Sequence, residues 1–191
     1  MIERTLILLK PDAVQRALVG EILSRFERTG FKMVSMKMCY ATKDTAGKHY
    51  ADDEAWMVGL GEKAKKAMEA KGQKVTDTPK QIGQRVRALL MDFLTMAPTV
   101  AIVLEGHDVI NKVRTMVGAT APNLAAPGTI RGDYSFDSYG LSDISGRPLQ
   151  NLIHASDSVE SANREIAIWF KKDEIHPYQR VDDALLYRKG K

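Results

Sequence analysis

The chain predicts an α/β (α+β) domain of ferredoxin-like plan, a four-stranded antiparallel sheet covered by helices. Apolar runs of strand length alternate with helical apolar stripes, and the order strand-helix-strand occurs twice. The 191 residues, 44% hydrophobic and 27% charged, suit a single globular domain spanning 1–191, and no internal repeat divides it.

Thr5 to Leu9 is an apolar run rich enough for a buried strand, ended by Lys10-Pro11-Asp12, where proline removes a backbone donor. A basic residue therefore sits at a strand's end. Val14, Leu18, Ile22, Leu23 and Phe26 recur at helical spacing, and Gly30 follows as a C-terminal stop. A second strand is expected over Phe31 to Tyr40, and a short helix over Thr42 to Tyr50 with Thr42 as its cap. Val100 to Glu105 supplies a third strand and Asp108 to Val117 another helix. Helices are expected across one face of the sheet.

Two inserts interrupt this plan, at about 57–96 and at 134–147. The first opens lysine-rich and glycine-spaced, turns at Gly72 to Pro79, and continues into a helix with Ile82, Val86, Leu89, Leu90, Phe93 and Leu94 on one face. Its part from Met57 to Thr78, carrying Lys63, Lys65, Lys66, Lys71 and Lys74, is a candidate lid over a ligand entrance. The second, Tyr134 to Arg147, is polar and without period, and reads as a loop or hairpin.

The most informative residue is His154, in Arg147-Pro-Leu-Gln-Asn-Leu-Ile-His-Ala-Ser-Asp-Ser158, where an apolar strand-like run delivers an imidazole among small polar groups. Imidazole is nucleophilic near neutral pH when one ring nitrogen is free and the other is held by an acceptor. Glu165 is a candidate for that acceptor. It lies on the amphipathic stretch Val159 to Phe170, with apolar positions at Val159, Ala162, Ile166, Trp169 and Phe170 and Ser158 as N-cap. The competing reading is an imidazole that merely satisfies its own hydrogen bonds in the core.

A formal charge of +4 suits a protein that handles anions, but the excess is modest, and nucleic acid is not expected as a main partner. No signal-like or membrane-length apolar segment occurs, so the expected setting is the cytoplasm. The single cysteine, Cys39, has no partner for an internal disulfide and reads as a packing residue. Lys10, Arg114, Arg131 and His154 are the candidates for one anionic pocket, because arginine forks grip phosphate oxygens and lysine adds a point charge. Spacing alone does not show whether they converge.

The chain resembles the nucleoside diphosphate kinases. The resemblance is carried by Glu3-Arg-Thr-Leu6, Lys10-Pro-Asp12 with Val14-Gln-Arg16, Leu18-Val-Gly-Glu-Ile22, Gly30-Phe31, His49-Tyr50, Glu105-Gly106, Pro127-Gly-Thr-Ile-Arg-Gly-Asp133, and Asn151 to Ser158 with Ser161-Ala162. These motifs span almost the whole chain in family order. The resemblance implies ping-pong transfer of the γ-phosphate of ATP, or another nucleoside triphosphate, to a nucleoside diphosphate through a pros-phosphohistidine on His154, an activity that balances cellular nucleotide pools. It assigns Lys10 beside the transferred phosphoryl with Tyr50 in support, Arg114 and Thr120 on the terminal phosphates, and Arg131 as a phosphate-side arginine. Asn151 would contact the sugar, and Glu165 would orient the imidazole. Mg²⁺ is implied as cofactor, bound mainly through nucleotide phosphates rather than by protein ligands.

The resemblance further implies a homo-oligomer, a hexamer or tetramer built from dimers, with the tail from Lys171 to Lys191 available to dock on a neighbour. Base selectivity is expected to be broad, because stacking discriminates little. Trp56 is the candidate for base stacking, with a packing role as its alternative. Ala13 and Ala155 stand where the family has glycine; both are expected to be tolerated, with strain only where φ must be positive. Two rival readings remain, a nucleic-acid-binding module on the same scaffold and a catalytically silent relative.

Overall fold

The computed structural model describes residues 2–50, 53–70, 72 and 74–187. In chain order the elements are β1 (Ile2–Leu9), α1 (Pro11–Gln15), α2 (Val19–Arg28), β2 (Lys32–Cys39), α3 (Lys43–His49), α4 (Glu54–Ala70), α5 (Pro79–Thr95), β3 (Thr99–His107), α6 (Val109–Val117), α7 (Ile130–Tyr134), α8 (Tyr139–Ile144), β4 (Ile153–Ala155), α9 (Val159–Trp169) and α10 (Asp183–Leu186). The strands form one four-stranded sheet in the order β2-β3-β1-β4, with every pairing antiparallel. The ferredoxin-like plan is the one observed.

Helices cover both faces of the sheet rather than one. The cause is in the strands themselves, where alternation gives way to continuous apolar runs that need partners on each side. Ile7, Leu9, Val100, Ile102 and Leu104 pack with Ile22, Phe26, Val113 and Val117 on one face. Leu6, Leu8, Ala101 and Val103 pack with Ala46, Tyr50, Leu94 and Trp169 on the other. Full burial of each such aliphatic side chain contributes about 1.5–3 kcal/mol. Because β1 and β3 are buried on both faces, their side chains present no open platform on which bases could stack.

The stripe from Val14 to Phe26 is two helices, not one. Ala17 takes a left-handed conformation, φ 56°, which ends α1 and lets Leu18 restart the chain as α2. Ala13 and Ala155 are not among the positive-φ residues, so alanine in place of glycine costs nothing in backbone strain there. Thr42 caps α3 by accepting from the Thr45 N–H, as its position suggests.

The stretch expected as a first insert is a helical hairpin, α4 and α5. Thr78 opens α5 with a capping box, its side chain accepting from Gln81 and Gln81 returning to the Thr78 N–H. Gly61 of α4 lies so close to α5 that a Cβ there would fall 1.7 Å from the Pro79 carbonyl oxygen, and one on Gly83 would fall 2.0 Å from that of Met57. The segment expected as a free lid is therefore an arm clamped backbone to backbone; its Lys71 lies outside the described residues. The second insert is also more ordered than a loop, since it contains α8, capped by Ser138. Asp137 holds it, accepting two bonds from Arg147 (2.6 and 3.1 Å) and one from the Gln150 N–H (2.7 Å).

The tail docks on its own chain. The His176 N–H donates to Val34 O, Ser35 Oγ to Glu174 O, and Arg180 to the carbonyls of Gly30 and Phe31. The Val34 bond covers the outer edge of β2 at its bulge alone, and the Arg180 bonds hold the chain just before that strand; residues 188–191 lie outside the described residues. Cys39 is half-buried against the second cluster, and burial pushes its thiol up, as expected of a packing residue. No helix among the described residues is long and apolar enough to cross a membrane.

Two substitutions with opposite signs test these backbone assignments by denaturant unfolding. Ala17→Gly is expected to stabilise by up to about 1 kcal/mol, because it removes a left-handed alanine. Gly61→Ala is expected to destabilise by about 1–3 kcal/mol despite alanine's better helix propensity, because the hairpin must open to admit the methyl group.

Candidate active site

Lys10 leaves the buried end of β1 and Asn151 precedes β4, so neighbouring strands bring together residues far apart in sequence. Lys10 Nζ donates to Asn151 Oδ1 at 2.8 Å, and Asn151 Nδ2 donates to the Thr120 carbonyl at 2.9 Å. The backbone N–H of Lys10 donates to Leu152 O, while the Leu152 N–H donates to Asp12 Oδ2 at 2.9 Å. Leu152 has φ 66°, a conformation costing a branched residue about 1–2 kcal/mol. Those two bonds hold it there. The turn it makes delivers Ile153 into the core and leaves His154 partly exposed.

Among the described residues His154 is anchored from one side only. Its Nε2 lies 2.8 Å from Glu165 Oε2, and the same oxygen accepts from Ser156 Oγ at 2.7 Å. Ser156 is itself tied to the sheet, because its hydroxyl oxygen accepts the Leu6 N–H. A carboxylate accepts only, so the shared proton belongs to Nε2, leaving Nδ1 with a lone pair. Ser158 caps α9 by accepting from the Ser161 N–H, and Glu165 projects inward two turns later.

A second imidazole packs against the first. His49, buried at the end of α3, meets the His154 ring edge to face with centroids 4.5 Å apart, between Tyr50 and Trp169. Trp169 Nε1 donates to His49 Nδ1 across 3.4 Å, a long bond. Burial, then any charge developed on His154 and the cations Lys10 and Arg164, hold His49 well below the usual histidine range, so it is neutral. Tyr50 is buried beside it, and burial followed by the carboxylates Asp12 and Glu165 pushes its phenol up, keeping the hydroxyl protonated.

Burial lowers Lys10 to about 8, the Arg131 charge adding to the effect and Asp12 opposing it. Arg131 differs from expectation. Its guanidinium donates to the carbonyls of Asn151 (3.1 Å), Gly118 (2.9 Å), Ala119 (3.2 Å) and Ile153 (2.6 Å). The fork expected to grip phosphate is thus a strut between the loop at 118–120 and the strand of His154, with one of five N–H groups left over. Burial and then Arg114 bring it down to about 10, still a cation at neutral pH. Arg114, in the last turn of α6, is exposed and within electrostatic reach of Arg131 and Asp157. Thr120 is exposed on the loop whose carbonyl Asn151 holds.

Lys10, Asn151, Thr120 and Arg131 therefore share one network, with Arg114 beside it and His154, Glu165 and Tyr50 adjoining. Trp56 stands apart: it packs on Tyr50, centroids 6.4 Å apart and 34° between planes, half-buried against the apolar cluster. Sequence reading gave no role to Asp12, Ser156 or His49, though each lies in a quoted motif, because their work is done through backbone groups and ring contacts. No oxygen cage for Mg²⁺ exists among the described residues. Asp12 Oδ2 and Glu165 are committed, Asp12 Oδ1 is buried, and the remaining carboxylate, Asp157, is exposed and held by Ser161.

Comparison with known proteins shows the family. The family profile described as "Nucleoside diphosphate kinase" matches residues 3–58 and 63–175. A nucleoside diphosphate kinase of Pyrobaculum aerophilum is 45% identical over 179 residues, covering 91% of this chain and 98% of that one. A crystal structure of an NDP kinase from the same organism superposes with TM-score 0.90 at 42% identity, covering 93% of this chain and 100% of the other. A Borrelia burgdorferi nucleoside-diphosphate kinase, a transition-state mimic with bound vanadate and ADP, superposes with TM-score 0.79 at 38% identity over 97% of each chain.

Ser156→Ala removes the donor that fixes Glu165 and the acceptor for the Leu6 N–H, both in the dry interior. It is expected to lower unfolding free energy by about 1–3 kcal/mol, measured by urea denaturation, whereas Ser158→Ala at the exposed cap is expected to cost about 1 kcal/mol.

Proposed function

The chain belongs to the nucleoside diphosphate kinase family and is a nucleoside-diphosphate kinase, a phosphotransferase acting on nucleotides; we propose that the phosphoryl group it transfers travels on Nδ1 of His154. The observation that carries this reading is the one-sided anchoring of His154. Glu165 occupies Nε2, and the free nitrogen belongs to a ring whose side chain is 25% exposed at the edge of a cationic cluster.

In the first half-reaction the Nδ1 lone pair attacks the γ-phosphorus of ATP in line. The bond from phosphorus to the β,γ-bridging oxygen breaks, and its electron pair leaves on ADP. The ring gains positive charge as the new P–N bond forms, and the Glu165 carboxylate stabilises it through the Nε2 proton. In the second half-reaction a β-phosphate oxygen of the acceptor diphosphate attacks the same phosphorus, and the imidazole leaves unchanged. Phosphoryl transfer of this kind asks for alignment and for charge on the equatorial oxygens.

Lys10 and Arg114 supply that charge, with the last N–H of Arg131 and the neutral Tyr50 hydroxyl as donors. The Thr120 hydroxyl faces the terminal phosphates. The second N–H of Asn151 Nδ2 serves the sugar, its first being spent on Thr120 O. Trp56 lies beside Tyr50 on the base side, where stacking supplies little discrimination between bases. Mg²⁺ bound with the nucleotide would supply charge neutralisation to the phosphates, beside the cations Lys10 and Arg114. The activity equilibrates nucleoside triphosphate pools, and its setting in this reading is the cytoplasm.

We further propose a homo-oligomer. Beyond the tail's contacts, β2 remains an open edge, with Met36, Met38 and Tyr40 more than half exposed (52%, 61% and 67%). A strand edge flanked by that much apolar surface is suited to pairing with a second copy.

Incubation with γ-labelled ATP is expected to give an acid-labile, base-stable phosphoenzyme on the full chain and none on His154→Ala. A label that survives this substitution would place the carrier elsewhere. The pH profile tests Lys10: above about pH 8 its ammonium deprotonates in the free enzyme, so kcat/KM should fall on an alkaline limb centred there. The corresponding limb in kcat should lie higher, because bound phosphate favours the charged form.

A further inference from the structure

Among the described residues one cluster has the donors of a metal site, His49, His154 and Glu165, each with a ligand atom within 4.8 Å of the other two. We propose that this cluster binds a borderline-soft divalent ion of the Zn²⁺ class, and that the bound ion switches off phosphoryl transfer by engaging His154. Two imidazoles and a carboxylate form a donor set found in zinc sites, and one that Mg²⁺, which prefers oxygen, does not favour. The ion inferred here is thus chemically distinct from the one that accompanies the nucleotide.

Geometry permits it. A tetrahedral ion with bonds of about 2.1 Å sets its ligand atoms about 3.4 Å apart. The donor atoms lie within 4.8 Å of one another, so each pair has at most about 1.4 Å to close. Glu165 must open its 2.8 Å bond to His154, whose Nε2 gives up its proton to take the ion while Nδ1 takes up a proton and so loses the lone pair that attacks phosphorus; Ser156 still orients the carboxylate from behind, as an outer-shell partner does. His49 has no part in the transfer chemistry. The hydrogen bond to its ring from Trp169 is 3.4 Å long and weakly held, so that bond is little obstacle to ligation of the ion by a ring nitrogen. His49 and Glu165 are buried, and the partly exposed face of His154 is the way in, which leaves the fourth position to water.

The groups facing the cluster set a limit on affinity. Lys10 and Arg164 lie within electrostatic reach of His49, and Arg164 Nη2 is 3.5 Å from Glu165 Oε1, so two cations oppose the incoming charge. The ion is therefore held more weakly than in a structural zinc site, as a reversible inhibitor rather than a resident group. Binding stands on these donors alone, whereas the inhibitory consequence rests on His154 being the phosphoryl carrier.

Calorimetric titration of the nucleotide-free full chain with Zn²⁺ tests the site. One ion per chain is expected, undisturbed by excess Mg²⁺, with a change in tryptophan emission as the Trp169 bond to His49 is lost. Affinity should fall at least about tenfold in His49→Gln and again in His154→Asn, with circular dichroism and urea unfolding confirming that each variant is folded. Equal affinity in both variants, or competition by Mg²⁺ at comparable concentration, overturns the site. Protein loaded with Zn²⁺ and freed of excess metal should take no label from Mg-ATP until a chelator is added; label formed at the same rate on loaded protein overturns the switch. Absence of label on metal-free protein would instead refute the carrier role, and with it the switch, while the calorimetry still decides the site.

Discussion

A buried carboxylate oxygen that accepts two hydrogen bonds is the constraint on which this site depends. Glu165 Oε2 takes the Ser156 hydroxyl and the His154 Nε2–H, and Ser156 is fixed in turn to the Leu6 N–H of the central strand β1. A carboxylate removed from water and left unpaired would be costly, so these bonds hold each other in place. Their joint effect is to define the tautomer and plane of an imidazole without occupying its second nitrogen. His49 packs edge to face on that ring and remains neutral through burial, so the wall behind the reacting ring carries no charge to repel a developing imidazolium.

The anion-facing side obeys a related logic, in which polar groups are spent on architecture before any are spent on ligand. Leu152 is held in a left-handed conformation by Asp12 and by the Lys10 backbone, and that turn aims His154. Arg131 commits four donors to backbone carbonyls and so joins the 118–120 loop to the strand of the histidine. Lys10 is kept in a buried position beside another cation, which weakens its hold on its proton until an anion arrives. Preorganisation of this sort removes the reorganisation cost that a flexible set of cations would meet during transfer.

The legible part of the sequence was whatever depends on periodicity, capping or motif. The strand at Thr5 to Leu9, the Thr42 and Ser158 caps and the amphipathic α9 all follow from local chemistry, and the strand-helix order predicts the sheet. Less legible was anything set by a single backbone torsion or by contact between distant segments. Alanine at 17 carries no sign of a left-handed turn, so α1 and α2 read as one helix. The close approach of Gly61 to Pro79 reads in sequence only as glycine spacing, so the hairpin arm looked like a lid. At the site, residue type made Lys10 and Glu165 candidates and the family resemblance added Asn151, whereas the use of Arg131 as a strut could not be read, because its acceptors are main-chain oxygens that any sequence provides.

The central claim is that Glu165 reserves Nε2 and leaves Nδ1 as the nucleophile. Its most direct test is phosphorus–nitrogen coupling by NMR in phosphoenzyme made from chain labelled with ¹⁵N at histidine. The account predicts phosphorus bonded to Nδ1 of His154, with Nε2 still carrying its proton; phosphorus on Nε2, or on any other histidine, would contradict it.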